Sequence, residues 1–305
     1  MSRVAAVLSA LVAAALISGA GFASSRASST VVARIATGKD SCGIAGAAGS
    51  VWVTKDRELL RIDPATNTVS RRFAIDPFAC ELRFAYGSLW IVTQWGVVER
   101  FNPVTGRMIK RIRVGRTTYD VASGAGSMWV SNRNGGTVQR ISPKRNKVVK
   151  TIRFPGLAPA GVAFVAGALW VGDEQGDSVY RLDPKRYRWA RIRTGEHLSS
   201  WLASSGDALW VSNTGSGTVS RIDPVARKVV ATIKVGQSPV NLDVVGREVW
   251  VPNDESNTVS RIDIATNTVI ETIPAGANTA VVAPAAGDVW VSNFDAGTVW
   301  RIHPG

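Results

Sequence analysis

Residues 229–263 read VVATIKVGQSPVNLDVVGREVWVPNDESNTVSRID, and the same sentence recurs with substitutions along the chain. It holds short stretches rich in β-branched residues, set apart by Gly, Pro, Asn and Asp. Residues 238–245 read as an inner strand, 248–253 as a second, 257–263 as a third and, past the next turn, 268–276 as an outer one. That is the composition of a four-stranded meander. Its tryptophan, Trp250, returns as Trp52, Trp90, Trp129, Trp170, Trp210 and Trp290, at intervals of 38, 39, 41, 40, 40 and 40 residues in chain order. Seven copies at about forty residues predict an all-β chain, a seven-bladed β-propeller of four-stranded antiparallel blades.

The last copy stops at TVWRIHPG and lacks an outer strand, while TVVARIATG at 30–38 matches VVATIKVG at 229–236. The N-terminal strand is therefore expected to complete the last blade and close the ring, which removes an open sheet edge. Blades follow at 39–76, 77–116, 117–156, 157–195, 196–236 and 237–276, then 277–305 with 30–38. Asp or Asn before Pro, at Asp63, Asn102, Asp183 and Asp223, suits the first position of a type I turn. Gly136, Asp177, Gly217, Asn257 and Gly297 precede third strands, where a hairpin favours residues tolerant of positive φ. A tryptophan in every copy is a packing requirement between sheets. The repeated Arg61, Arg100, Arg140, Arg181, Arg221, Arg261 and Arg301 read the same way, as one structural contact made seven times.

The first residues follow a different rule. Arg3 precedes an apolar run at 4–17, and small residues follow to Ala27, so 1–27 reads as a secretory signal peptide and 28–305 as a single propeller domain. An uncleaved leader acting as a tether is the alternative. The expected location is extracytoplasmic, at the cell envelope. There Cys42 and Cys80, each ten residues before a repeat tryptophan in adjacent blades, are placed to form a disulfide. The net charge of +13 suggests polyanionic partners, envelope polymers or anionic lipid headgroups rather than nucleic acid.

The units at 126–143 (GSMWVSN…GGTVQRISP) and 208–224 (ALWVSNTGSGTVSRIDP) resemble the YVTN-type propeller repeats of bacterial surface proteins. Their LWV…V.RIDP phrasing also resembles the virginiamycin B lyase (streptogramin lyase) family of seven-bladed propellers. That second resemblance implies opening of a cyclic depsipeptide by a histidine base, with acidic residues holding magnesium at one channel mouth. In that family a Glu soon after the Trp precedes the histidine. Here the residues three beyond each Trp are Lys55, Thr93, Asn132, Asp173, Asn213, Asn253 and Asn293, and no histidine follows them.

Three candidate sites follow. The first is that same ring of seven, read as donors and acceptors gripping a polar ligand or peptide at the channel mouth, against the plainer reading that Asn and Asp start turns. The second is Asp173 and Glu174 with Glu196 and His197, on loops expected to be neighbours, where carboxylates beside an imidazole would bind a divalent cation or transfer protons. The third is electrostatic: Arg107, Lys110, Arg111, Arg113 and Arg116, then Lys144, Arg145, Lys147, Lys150 and Arg153, then Lys185, Arg186, Arg188, Arg191 and Arg193. These outer segments carry no acid and predict a basic sector for docking to anionic polymer, cell wall or membrane surface. The expected function is a monomeric, non-catalytic scaffold without a cofactor that binds a protein, peptide or anionic envelope polymer. The alternative is a lyase or hydrolase with a relocated metal and histidine site at His197.

Overall fold

The computed structural model describes residues 28–305 apart from Arg116; the expected leader, 1–27, lies outside the described residues. These residues form 28 strands in antiparallel sheets of four. In Ser41–Ala47, Ser50–Lys55, Glu58–Asp63 and Thr68–Ala74, spatial order follows chain order, as a meander requires. Two of the fours, 159–193 and 199–234, join into one eight-stranded sheet through a single bridge between Asp173 and Ser199. One sheet combines chain ends: Thr279–Ala285, Asp288–Asn293 and Thr298–His303 are followed by Thr30–Ala36. The inner strands lie side by side in chain order, and the last of them, Thr279–Ala285, returns to the first, Ser41–Ala47.

The sixth inner strand departs from expectation. Only Asp243–Val245 is regular, in place of 238–245. Pro239 has no N–H for a ladder, and what remains upstream is a bridge from Pro239 to Asn253 and a parallel one from Asn241 to Val281.

All seven repeat tryptophans are fully buried between sheets, Trp129 for instance among Val162, Leu169 and Leu182 of the following repeat. Each such residue is worth about 3–5 kcal/mol against truncation to alanine. The repeat arginine lies directly across the ladder from its tryptophan, as Arg100 does from Trp90 and Arg221 from Trp210. Six of the seven guanidinium groups sit 4.9–5.9 Å from their ring centroids.

These arginines also reach forward into the next repeat. Arg100 donates to Pro143 O and Asn146 Oδ1, Arg140 to the Tyr187 hydroxyl, and Arg221 to Ile264 O and Asn267 Oδ1. Arg301 donates to Pro64 O and Asn67 Oδ1 at the other end of the chain. The tie forms where the turn before the outer strand offers a side-chain acceptor. The equivalent turn residues Gly106 and Arg227 offer none, and Arg181, whose counterpart in the next repeat is Arg227, has its Nε buried without a partner. Arg261 turns to Glu248 and Glu271 instead.

The turns behave as their side chains dictate. Asp63, Asn102, Asp183, Asp223 and Asp263 each accept the N–H two residues on at 2.8–2.9 Å. Gly136, Gly217, Asn257 and Gly297 have positive φ; Asp177, expected to share it, does not.

Cys42 and Cys80 form the expected disulfide, with Cα atoms 4.9 Å apart. Gly43 allows this approach, since a Cβ there would stand 2.4 Å from Cys80 O. The bridge links adjacent inner strands across 38 residues of chain. Replacing both cysteines by alanine is expected to cost about 2–4 kcal/mol, measured as a lower denaturant midpoint; an unchanged midpoint would remove the bridge from the account of stability.

Candidate binding face and central channel

The loops entering the inner strands and the turns after the second strands share one rim, called the loop face below. Asn132, Asn213, Asn253 and Asn293 lie under it rather than on it, fully buried, as are Thr93 and nearly so Asp173; Lys55 is half-buried. Each asparagine donates its amide N–H to the hydroxyl five residues on, in Thr137, Thr218, Thr258 and Thr298, at 3.0–3.4 Å. Asn253 and Asn293 accept the N–H groups of Gly236 and Gly276 at 3.1 and 2.9 Å. A Cβ on either glycine would come within 2.7 Å of the asparagine, so glycine is needed there. Asp173 Oδ1 accepts from the backbone of Ala158 and Gln175, Thr93 donates to Val97 O, and Lys55 lies 3.8 Å from Glu58. The ring is thus part of the wall. Asn253 and Asn293 stitch their repeat to the loop arriving from the repeat before, whereas Asn213 Oδ1 accepts from Ser199 of its own repeat.

The loops of Asp173 and His197 are neighbours, as the Asp173–Ser199 bridge requires, but the side chains separate. Glu174 pairs with Arg133 and accepts the Tyr119 hydroxyl at 3.3 Å, on the side of the third repeat. Burial raises its carboxyl above the ordinary value, and Arg133 opposes that. Glu196 accepts from Thr218 at 3.1 Å, in the fifth repeat. His197 is exposed, its backbone N–H held by Ser216 at 2.8 Å and its ring lying against Gly215. Among the described residues no hydrogen bond or ion pair joins His197 to these carboxylates, and no three His, Cys, Asp or Glu side chains stand close enough to hold a metal ion.

Of the basic residues, Arg107, Lys110, Arg111 and Arg113 lie on the outer strand Arg107–Arg113, and Lys147, Lys150 and Arg153 on Lys147–Arg153; all are exposed. Lys144, Arg145, Lys185, Arg186 and Arg188 are exposed on the preceding turns, and Arg116 lies outside the described residues. Acids on neighbouring elements reach two of these side chains: Arg111 pairs with Asp76 and the buried Glu99, and Arg191 with Asp177. A finer pattern appears at the ends of the outer strands. Their last residues are Ala36, Ala74, Arg113, Arg153, Arg193, Lys234 and Pro274. Four consecutive repeats thus end their outer strands at the loop face on an exposed cation, and three end them on Ala or Pro.

The central channel holds a cluster not foreseen in the sequence. Two cavities of about 220 and 280 Å³ are lined by the inner strands and share Arg83, Leu242 and Asp243. Seven residues before each repeat tryptophan stand Ala45, Arg83, Ala122, Ala163, Ala203, Asp243 and Ala283, each directly opposite that tryptophan in the ladder. Alanine fills five of seven places; an arginine and an aspartate break the pattern. Around them lie buried Glu81 and Asp120. The irregular sixth inner strand carries Asn241 to Glu81, donating to both carboxylate oxygens at 2.9 Å. Asp120 accepts the Val162 N–H at 2.7 Å. Burial drives the Glu81 carboxyl well above the carboxylate range, with Asp120 adding repulsion and Arg83 opposing both. Burial likewise pushes Asp120 up to about 6 and raises Asp243, again against Arg83. Reading the register against the tryptophans would have revealed this cluster.

One further feature stands on the loop face. Phe78 and Trp95 are exposed and meet with ring centroids 5.8 Å apart and planes tilted by 52°, above a hollow they share with Gln94 and Thr117.

No family model matches the chain, and no curated protein matches it. Among solved structures, a catalytically inactive virginiamycin B lyase from Staphylococcus aureus with quinupristin is similar at a TM-score of 0.73 and 17% identity, covering 88% of this chain and 96% of that one. Kuenenia stuttgartiensis hydrazine synthase is similar at 0.74 and 14% identity, with the same coverage. At these identities the likeness establishes the fold: this chain is built as a β-propeller.

Proposed function

We propose that the chain is an exported, seven-bladed propeller that binds an anionic polymer of the cell envelope and carries out no chemistry of its own. The closed ring is supported by the 28 strands in fours, by the pairing of Thr30–Ala36 with the final strand, and by Arg301 repeating across the chain ends the contact that Arg100 and Arg221 make within it. Export accords with the disulfide, which persists in oxidising compartments. The polymer reading is carried by one observation, the arc of Arg113, Arg153, Arg193 and Lys234 on four successive repeats. Regular spacing of like charge suits a repeating polyanion, whose many weak contacts sum through effective concentration. The lyase alternative would need His197 beside a carboxylate, and Glu174 and Glu196 are each engaged elsewhere.

The test is retention on immobilised dextran sulfate against neutral dextran. The protein is expected to hold to the charged matrix at 0.05 M salt and elute as ionic strength rises, because screening shortens the reach of exposed charges. The triple variant Arg113→Gln, Arg153→Gln, Arg193→Gln is expected to elute at clearly lower salt. Equal elution of variant and parent, or retention indifferent to salt, would refute the reading.

A further inference from the structure

We infer that the corner formed by Phe78 and Trp95 is a sugar-ring subsite, so that the polymer taken by the loop face is an anionic polysaccharide; this rests on the polyanion reading above and names its chemistry. Phe78 is 51% exposed and Trp95 68% exposed. Together with Gln94 and Thr117 they line a hollow of about 280 Å³ whose surface is mostly apolar. Two large aromatic rings on the surface of an otherwise charged rim need a reason, since such patches mark binding sites.

The local chain is arranged to present them. The second repeat has a shortened turn, Gln94-Trp95-Gly96, between Ser88–Thr93 and Val97–Asn102, and Gly96 adopts φ 82°. Three backbone bonds lock the surrounding loops together: Gln94 N–H to Phe78 O at 3.1 Å, Thr117 N–H to Gln94 O at 3.1 Å and Val114 N–H to Gly96 O at 2.9 Å. The platform is thereby held ready before any ligand arrives, which spares the cost of ordering it. Phe78 itself sits at φ 58°, a left-handed position that other repeats give to Asp40, Thr117, Leu198, Ser238 and Asn278.

The chemistry of the corner selects the occupant. A pyranose ring has an apolar C–H face, which an indole covers, and a hydroxyl edge, which the Gln94 amide and Thr117 hydroxyl can bond. Arg113 closes the outer strand at the same corner, paired with Val97 in the ladder one residue beyond the glycine of the turn. A sugar carrying, or lying beside, a carboxylate or other anion meets all three features at once, and the arc toward Arg153 sets the direction of the chain. An acidic peptide would satisfy the cations but leave the flat aromatic face without a matching ring.

Two probes of matched charge decide the matter: an oligogalacturonate and a polyglutamate of the same length, titrated at 0.15 M salt into the parent, Trp95→Ala and Arg113→Gln, with thermal midpoints confirming the fold of each. The parent is expected to bind the oligogalacturonate at least tenfold more tightly than polyglutamate. Trp95→Ala is expected to lose at least tenfold for the sugar probe and nothing for the peptide, while Arg113→Gln weakens both. If both probes bind the parent equally and Trp95→Ala changes neither or both alike, the sugar subsite is refuted and the polyanion reading survives. If neither probe binds the parent, the polyanion reading itself fails.

Discussion

A chain lacking residues 28–36 is expected to lose its cooperative thermal transition and to run as aggregate in size-exclusion chromatography. Thr30–Ala36 pairs along its length with Thr298–His303, from Thr30 opposite His303 to Ala36 opposite Thr298. Ile35 is buried with Val299, Val51 and Val53 between the first and last sheets, and Arg34 covers the Trp300 ring at 4.4 Å. Burial of Ile35 contributes about 1.5–3 kcal/mol, and each ladder hydrogen bond about 0.5–1.5 kcal/mol net. Summed over seven residues, the loss approaches the whole stability of a typical domain, about 5–15 kcal/mol. The deletion also bares a β-branched edge, Thr298–His303, as a template for intermolecular pairing. A truncated protein that stays monomeric with the parent's melting temperature would disprove closure by this strand.

Arg83→Met is expected to destabilise the fold by about 1–3 kcal/mol at pH 8 and by much less at pH 5. Glu81, Asp120 and Asp243 share the channel with this one guanidinium, which lowers the proton affinity of all three. Their folded-state carboxyls already stand above their unfolded values, so the folded state binds protons more tightly. Such groups contribute stability at low pH that is lost as pH rises through the folded values, about 6 for Asp120. Without Arg83 those values climb further and the penalty near neutrality grows. Denaturant midpoints of parent and variant, compared from pH 5 to 8, read the difference directly. A gap equal at both ends would assign Arg83 to packing and not to charge.

The meander and its turns were legible because they depend on local chemistry. Asp63, Asn102 and Asp223 bond the N–H two residues away whatever surrounds them, and the tryptophan period reports a packing need common to every repeat. The ring three residues beyond each tryptophan reads from the sequence either as a ligand-gripping surface or as turn-starting Asn and Asp, and the structure buries its asparagines. The clue was a second spacing: Asn132, Asn213, Asn253 and Asn293 are each followed five residues later by Thr, which takes up the amide across the hairpin. The channel cluster escaped for a different reason. Glu81 and Asn241 are 160 residues apart, and only the circular path of the chain together with a proline-disrupted sixth strand brings them together. Side-chain direction was the other gap. Neighbouring loops were correctly expected for Glu174 and His197, but Arg133 and Tyr119 draw the first one way while the Ser216 hydroxyl holds the backbone of the second another.

The pairing of Thr30 with His303 has a consequence for orientation. The first strand runs from Thr30 toward the loop face and the last ends at His303, so these two strand ends lie side by side on the opposite rim. A tether attached beside Thr30 or His303 would therefore hold the protein by its back. The arc of cations and the aromatic corner would look outward, away from the anchor and toward whatever lies beyond.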